Sequence, residues 1–281
     1  MRRRDAIGAL AAAGFVVNRT LAADSGGRLK QGVTAGVFDP KLSFEEKCRL
    51  AAELGCKGFD LVRPEDWPVL KKYGLTPSMS PQNAGVTIAD ALNNKENHDR
   101  IENTFRPALD QCAAGGCPNF ITFSGNRRGM PDEQGADNCV AFLNRVKAQA
   151  EDKGVTICME LLNSKVNHKD YMCDHSRWGV DVVKRVNSPR VKLLFDIYHM
   201  QIMEGDITRT IRENIQWIAH FHTGGVPGRH EIDESQELNY RFVASAIADL
   251  GFAGFVSHEY TPAPGHDAKE SLKQALSIMS V

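Results

Sequence analysis

Four short apolar runs in the second half of this 281-residue chain each close on a side chain able to bind a metal ion: Thr156-Ile-Cys-Met-Glu160, Leu193-Leu-Phe-Asp196, Ala219-His-Phe-His222 and Phe255-Val-Ser-His-Glu259. A carboxylate at the end of an apolar run is costly to desolvate without a partner. A divalent cation shared by Glu160, Asp196, His222 and Glu259 removes that cost. Three carboxylates and one imidazole form a mostly oxygen donor set, which suits Mn²⁺, Mg²⁺ or Co²⁺ better than a structural zinc with its preference for sulfur. Any one of these residues alone reads equally well as a helix N-cap or a surface acid. All four, at equivalent places in consecutive units, read as one site. His220 and His222 are two apart on a strand and face the same side. His222, nearer the strand's end, is assigned to the metal, and His220 to a position behind it or to the core.

The elements that carry these residues alternate. Strand candidates are Gly32–Val37, Gly58–Val62, Thr76–Met79, Asn119–Phe123, Thr156–Leu161, Lys192–Asp196, Ile215–His222 and Gly254–Glu259. Amphipathic helical stretches lie between them: Phe44–Leu54, Arg100–Ala114, Ala136–Asp152, Trp178–Val186, Tyr240–Leu250 and Ala268–Met279. Gly55, Gly74, Gly154 and Gly251 end helical stretches just before a strand, as left-handed caps do. Eight strand–helix units with no glycine-rich phosphate loop after the first strand favour a (β/α)8 TIM barrel over a doubly wound sheet. In such a barrel the C-terminal strand ends share one mouth, so one ligand per unit surrounds a single rim.

The runs Glu160-Leu-Leu-Asn163, Phe195-Asp-Ile-Tyr-His-Met-Gln-Ile-Met-Glu-Gly-Asp206, Pro227-Gly-Arg-His-Glu231 and Glu237-Leu-Asn-Tyr240 resemble those of hydroxypyruvate isomerases, members of the xylose-isomerase-like barrels alongside the ketose 3-epimerases. The resemblance covers most of the chain after its N-terminal segment and is most specific from about residue 155 to 260. It implies that Glu160, Asp196, His222 and Glu259 hold the metal, that the two glutamates are catalytic and exchange protons with substrate, and that His199 and Arg229 bind substrate. The chain departs from hydroxypyruvate isomerases in carrying His222 where they commonly have Gln, as the epimerases do. It also lacks the acidic residue often found before the Pro-Gly-Arg turn.

Moving a proton between adjacent carbons of an α-hydroxy carbonyl compound passes through an enediolate, whose developing charge needs stabilising. Hydroxypyruvate, the substrate the resemblance favours, becomes tartronate semialdehyde. A guanidinium fork on Arg229 matches its carboxylate, which a neutral ketose lacks; an exposed arginine closing a Pro-Gly turn is the plainer reading. His199 is expected to bond a substrate oxygen or to steady its loop, Asn163 to orient Glu160 or the loop after it, and Asp206 to cap the helix that begins at Ile207. A ketose 3-epimerase is the nearest alternative. A metal-dependent phosphodiesterase or nuclease fits less well, because the early strand ends, read as Leu61-Val-Arg-Pro and Met79-Ser-Pro-Gln, offer no histidine. A non-catalytic sugar-binding barrel would need no pair of proton-exchanging glutamates.

Residues 1–23 read differently from the rest. Arginines at 2, 3 and 4 precede the apolar run Ala6–Val17 and then small residues up to Ala23, the pattern of a twin-arginine export signal and of a periplasmic protein; a frayed N-terminal helix is the alternative. The barrel is assigned to residues 24–281. A composition 42% hydrophobic and 25% charged supports a sizeable core. A net charge of −1 gives no potential to draw nucleic acid or an anionic membrane surface, so the expected partner is a small hydroxy-carbonyl or sugar substrate, with a homo-oligomer compatible. Seven cysteines without CxxC spacing read as buried free thiols.

Overall fold

A computed structural model describes residues 27–82 and 85–281. The export-signal reading of residues 1–23 lies outside them. Eight parallel strands, β1 (Lys30–Val33), β2 (Gly58–Asp60), β3 (Thr76–Met79), β4 (Asn119–Thr122), β5 (Thr156–Leu161), β6 (Val191–Asp196), β7 (Ile218–Thr223) and β8 (Phe255–His258), run in the sheet order β3-β2-β1-β8-β7-β6-β5-β4. First and last strands pair, so the sheet curls into a barrel. The remaining seam, between β3 and β4, is stitched by Ser80 N to Asn119 O (2.9 Å), Asn119 Nδ2 to Ser78 O (2.9 Å) and Ile121 N to Ser80 Oγ (3.1 Å). The expected (β/α)8 TIM barrel is present.

Helices α1 (Phe44–Glu53), α2 (Trp67–Lys72), α3 (His98–Gly115), α4 (Asp132–Lys153), α5 (Ser176–Val186), α6 (Ile197–Met203), α7 (Ile207–Asn214), α8 (Tyr240–Asp249) and α9 (Ala268–Met279) surround it. Their starts follow local chemistry. Ser43 and Glu46 form a reciprocal capping box on α1, and Asp267 accepts from the Lys269 and Glu270 N–H groups at the head of α9. The four helix-ending glycines all have positive φ. Between helices and sheet lies the apolar core, including Phe105 packed edge-on against Phe120 (4.5 Å) and Phe142 (5.3 Å). All seven cysteines are buried and free. No helix of the described residues is long and apolar enough to cross a membrane.

Three strands differ from the sequence reading by two residues or more, β1 and β2 at the mouth and β7 at the opposite end. β1 stops at Val33, and Ala35–Val37 turn over the rim as a 3-10 helix in which Phe38 N bonds Ala35 O. β2 stops at Asp60, because Leu61 takes the left-handed region with φ 61° and the β2–β3 register shifts between Phe59 and Asp60. β7 begins at Ile218, since Ile215–Trp217 continue as a 3-10 turn. Asp206 does stand before α7, but its φ is 44° and its side chain makes no cap bond; it pairs instead with Arg209 Nε at 3.0 Å. The capping expectation for Asp206 is therefore corrected.

The barrel's interior is small and polar beneath the mouth. Gly32 lies against Ser257 and Gly58 against Ser78: a Cβ added at either glycine would come within 2.3 and 2.2 Å of the facing hydroxyl. The missing side chains leave room for these serines, for Asp60 and for His220 in the lumen.

Candidate active site

Strand register assembles the site. Asp196, the last residue of β6, sits beside His222 of β7; Glu160 is the penultimate residue of β5; Glu259 follows β8 directly. One ligand atom from each of the four lies within 4.8 Å of every other. Asp196 also accepts from His199 N at 3.1 Å, so the helix-cap reading and the site reading hold for the same side chain.

His222 is fully buried and uses its two nitrogens in opposite directions. Nε2 faces Asp60 Oδ2 at 3.0 Å. Nδ1 faces the carboxylates, 2.7 Å from Glu259 Oε2, 3.5 Å from Glu160 Oε1 and 4.0 Å from Asp196 Oδ2. The contact with Glu259 is close but not aligned as a hydrogen bond, and Nδ1 has no hydrogen-bond partner among the described residues. A buried nitrogen without a hydrogen-bond partner, aimed into three carboxylates, is a fitting donor set for a divalent cation.

The electrostatics match that reading. Burial, and after it the charge of Glu259, raises the Glu160 carboxyl to about 7 against the pull of His222. Burial also pushes Glu259 upward, but the charges of His222 and Arg229 outweigh it and hold this carboxyl below its usual range. For His222 burial favours the neutral ring, and the Glu259 charge with the bond to Asp60 overcomes it, raising the imidazole well above its ordinary value. Carboxylates about 4 Å apart repel by about 4 kcal/mol at an effective dielectric near 20, so the cluster requires positive charge.

Arg229 supplies some of it. Its Nη2 lies 2.6 Å from Asp196 Oδ2 and 2.7 Å from Glu259 Oε2, its Nε donates to Glu259 O at 3.0 Å, and Tyr198 stacks 5.0 Å away. The side chain is thus neither an exposed turn arginine nor remote from the carboxylates; it reaches back into them from a residue with φ 57°. His199 Nε2 is 2.9 Å from Arg229 Nη1, and its Nδ1 is 2.6 Å from Asn163 Nδ2. Burial, then the Arg229 charge, holds His199 well below its ordinary value and hence neutral. Asn163 makes no bond to Glu160. Its Oδ1 accepts from Val166 N and Asn167 N, so it shapes the loop and fixes His199. A cavity of about 510 Å³ opens beside the cluster, bounded by Gly36, Phe44, Leu61, Arg229, Glu259 and Tyr260. That volume is ample for a small organic acid or a sugar.

A family model described as xylose isomerase-like TIM barrel matches residues 48–279. The chain belongs to the xylose isomerase-like TIM barrels. Among curated relatives of this barrel, a Danio rerio protein named as a hydroxypyruvate isomerase is 31% identical over 45% of this chain and 46% of its own length. A Mus musculus protein of the same name is 27% identical over 77% of this chain and 83% of its own. A Pectobacterium atrosepticum protein named as a 2-oxo-tetronate isomerase is 25% identical over 78% and 87%. The matched segment thus spans under half of the zebrafish relative. Of solved structures, one titled as a family 2 AP endonuclease from Brucella melitensis is 27% identical with a TM-score of 0.76, over 89% of this chain and 98% of that one. A Clostridium cellulolyticum D-psicose 3-epimerase bound to D-tagatose shares the fold at 18% identity and a TM-score of 0.72, over 90% and 100%.

Sequence reasoning missed Asp60. With β2 read as running to Val62, the carboxylate seemed mid-strand. The signal was present: Gly58-Phe59-Asp60 is an apolar run closing on a carboxylate, like three of the four later ones.

Proposed function

We propose that this barrel is a divalent-metal-dependent isomerase of 2-oxo acids that carry a hydroxyl on the neighbouring carbon, with hydroxypyruvate and tartronate semialdehyde as its substrate pair. The observation that carries the proposal is the convergence of Glu160, Asp196, His222 and Glu259 to within 4.8 Å, beside a cationic Arg229 at the edge of a small-molecule cavity. Its support in the relatives is their names: hydroxypyruvate and 2-oxo-tetronate both pair a carboxylate with an α-hydroxy carbonyl group.

Glu160, Asp196, His222 and Glu259 would hold Mn²⁺, Mg²⁺ or Co²⁺, which when bound supplies Lewis-acid stabilisation of charge on the substrate oxygens. Glu259, held ionised by His222 and Arg229, accepts the proton from the hydroxyl-bearing carbon. Glu160 delivers a proton to the adjacent carbon, while the hydroxyl proton passes to the former carbonyl oxygen. Arg229, which lines the cavity, would turn its fork from Asp196 and Glu259 to the substrate carboxylate once a metal ion neutralises them, and buried neutral His199, held by Asn163, supports Arg229 Nη1 from behind. Tyr260 and Phe44 wall the cavity and limit water around the intermediate. His222 favours a ketose 3-epimerase as the second reading, because the epimerases carry His there; Arg229 among the carboxylates favours an acidic substrate.

A chelator is expected to abolish conversion of hydroxypyruvate, and Mn²⁺, Mg²⁺ or Co²⁺ to restore it, as followed by appearance of the aldehyde. Full activity in protein shown by elemental analysis to be metal-free would refute the proposal.

A further inference from the structure

The fully buried Asp60 at the end of β2 gathers three polar groups in the lumen. Ser78 Oγ donates to its Oδ1, and His220 Nε2 (2.6 Å) and His222 Nε2 (3.0 Å) both meet its Oδ2. Two features show that the chain is shaped around this carboxylate. The strand register shifts at Asp60, and Leu61 next to it occupies the left-handed region, which costs a side-chain-bearing residue about 1 kcal/mol or more. His220 Nδ1 has no partner among the described residues, so the bond to Asp60 is the one polar contact that fixes this ring.

An imidazole that binds a metal through one nitrogen is oriented by what the other nitrogen donates to. We infer that Asp60 is a positioning residue for the metal centre: by receiving the His222 Nε2–H it turns the Nδ1 lone pair toward Glu160, Asp196 and Glu259. Ser78 and His220 brace Asp60 in turn, its two oxygens being held from different strands. This inference rests on the metal reading of the site and extends it by one residue whose side chain is fully buried behind His222.

Mn²⁺ titration calorimetry on purified metal-free wild type, Asp60→Asn, His222→Ala and the double variant tests it. The wild type should bind one Mn²⁺ and Asp60→Asn should bind it about 10- to 100-fold more weakly. In the His222→Ala background, Asp60→Asn should change the weaker affinity by less than about twofold, because the effect travels through the imidazole. Wild-type affinity in Asp60→Asn would overturn the inference alone, as would equal losses in both backgrounds. A wild type that takes up no Mn²⁺ would overturn the metal reading and this inference with it. Circular dichroism reports whether Asp60→Asn folds. If it does not, Ser78→Ala, which leaves the charge and removes one brace, should weaken Mn²⁺ about fivefold, and only where His222 is present; unchanged affinity there would overturn the inference.

Discussion

Glu259→Gln is expected to lower kcat for hydroxypyruvate by about 10³- to 10⁴-fold while the protein still binds its metal ion, and Glu160→Gln to do nearly the same. A positioned proton-transfer group contributes about 10²- to 10⁴-fold, and the upper end applies where no water can substitute. The environment drives the two carboxyls apart. Burial raises Glu160 to about 7, whereas His222 and Arg229 overcome burial at Glu259 and keep it ionised. One glutamate takes a proton from substrate and the other returns one, so loss of either breaks the sequence of transfers. Glutamine keeps an oxygen for the metal and cannot exchange a proton. Steady-state kinetics beside Mn²⁺ titrations separate the two roles. A loss under tenfold with metal bound would remove that glutamate from the chemistry.

Arg229→Ala should cut kcat/KM for hydroxypyruvate about 30- to 1000-fold, corresponding to about 2–4 kcal/mol for a charge-assisted bidentate contact, and spare any neutral ketose the enzyme accepts. The structure adds a second, opposite-signed expectation. Arg229 Nη2 lies within 2.7 Å of carboxylate oxygens on both Asp196 and Glu259, so its removal deletes a competing cation from the cluster. Mn²⁺ affinity should then hold or rise, not fall. Arg229→Lys, which keeps the charge but loses the fork, should fall between wild type and Ala on hydroxypyruvate. Equal losses on charged and neutral substrates would reduce Arg229 to the cluster's counter-ion.

The barrel was legible because each unit repeats a pattern with a physical period: an apolar strand, a rim residue, an amphipathic helix and often a glycine cap. The grouping of Glu160, Asp196, His222 and Glu259 followed from the same repetition. Asp60 escaped because its strand is cut short by Leu61, whose left-handed backbone has no signature in a leucine side chain. Arg229 was legible as a substrate residue but not as a partner of Asp196 and Glu259, because that reach depends on a φ of 57° at a residue that is not glycine. Of the two readings of Asn163, the loop after Glu160 holds and a bond to Glu160 does not. Whether an amide turns to Glu160 or to His199 depends on how the Val166 and Asn167 N–H groups capture its oxygen, a tertiary detail absent from the motif. Asp206 shows the reverse: good N-cap chemistry overridden by a backbone turned to φ 44° after Gly205.

Proton exchange between solvent and substrate reports directly on an enediolate formed at this site. Hydroxypyruvate incubated in deuterated water with Mn²⁺-loaded enzyme should gain deuterium at the hydroxyl-bearing carbon, visible by proton NMR, at least as fast as the aldehyde forms. Chelation or Glu259→Gln should suppress that exchange, whereas Glu160→Gln should suppress aldehyde formation and leave exchange at the hydroxyl-bearing carbon in place. Isomer formation with no solvent deuterium in substrate or product, or exchange that persists after the metal is removed, would contradict a metal-centred enediolate isomerase at this site.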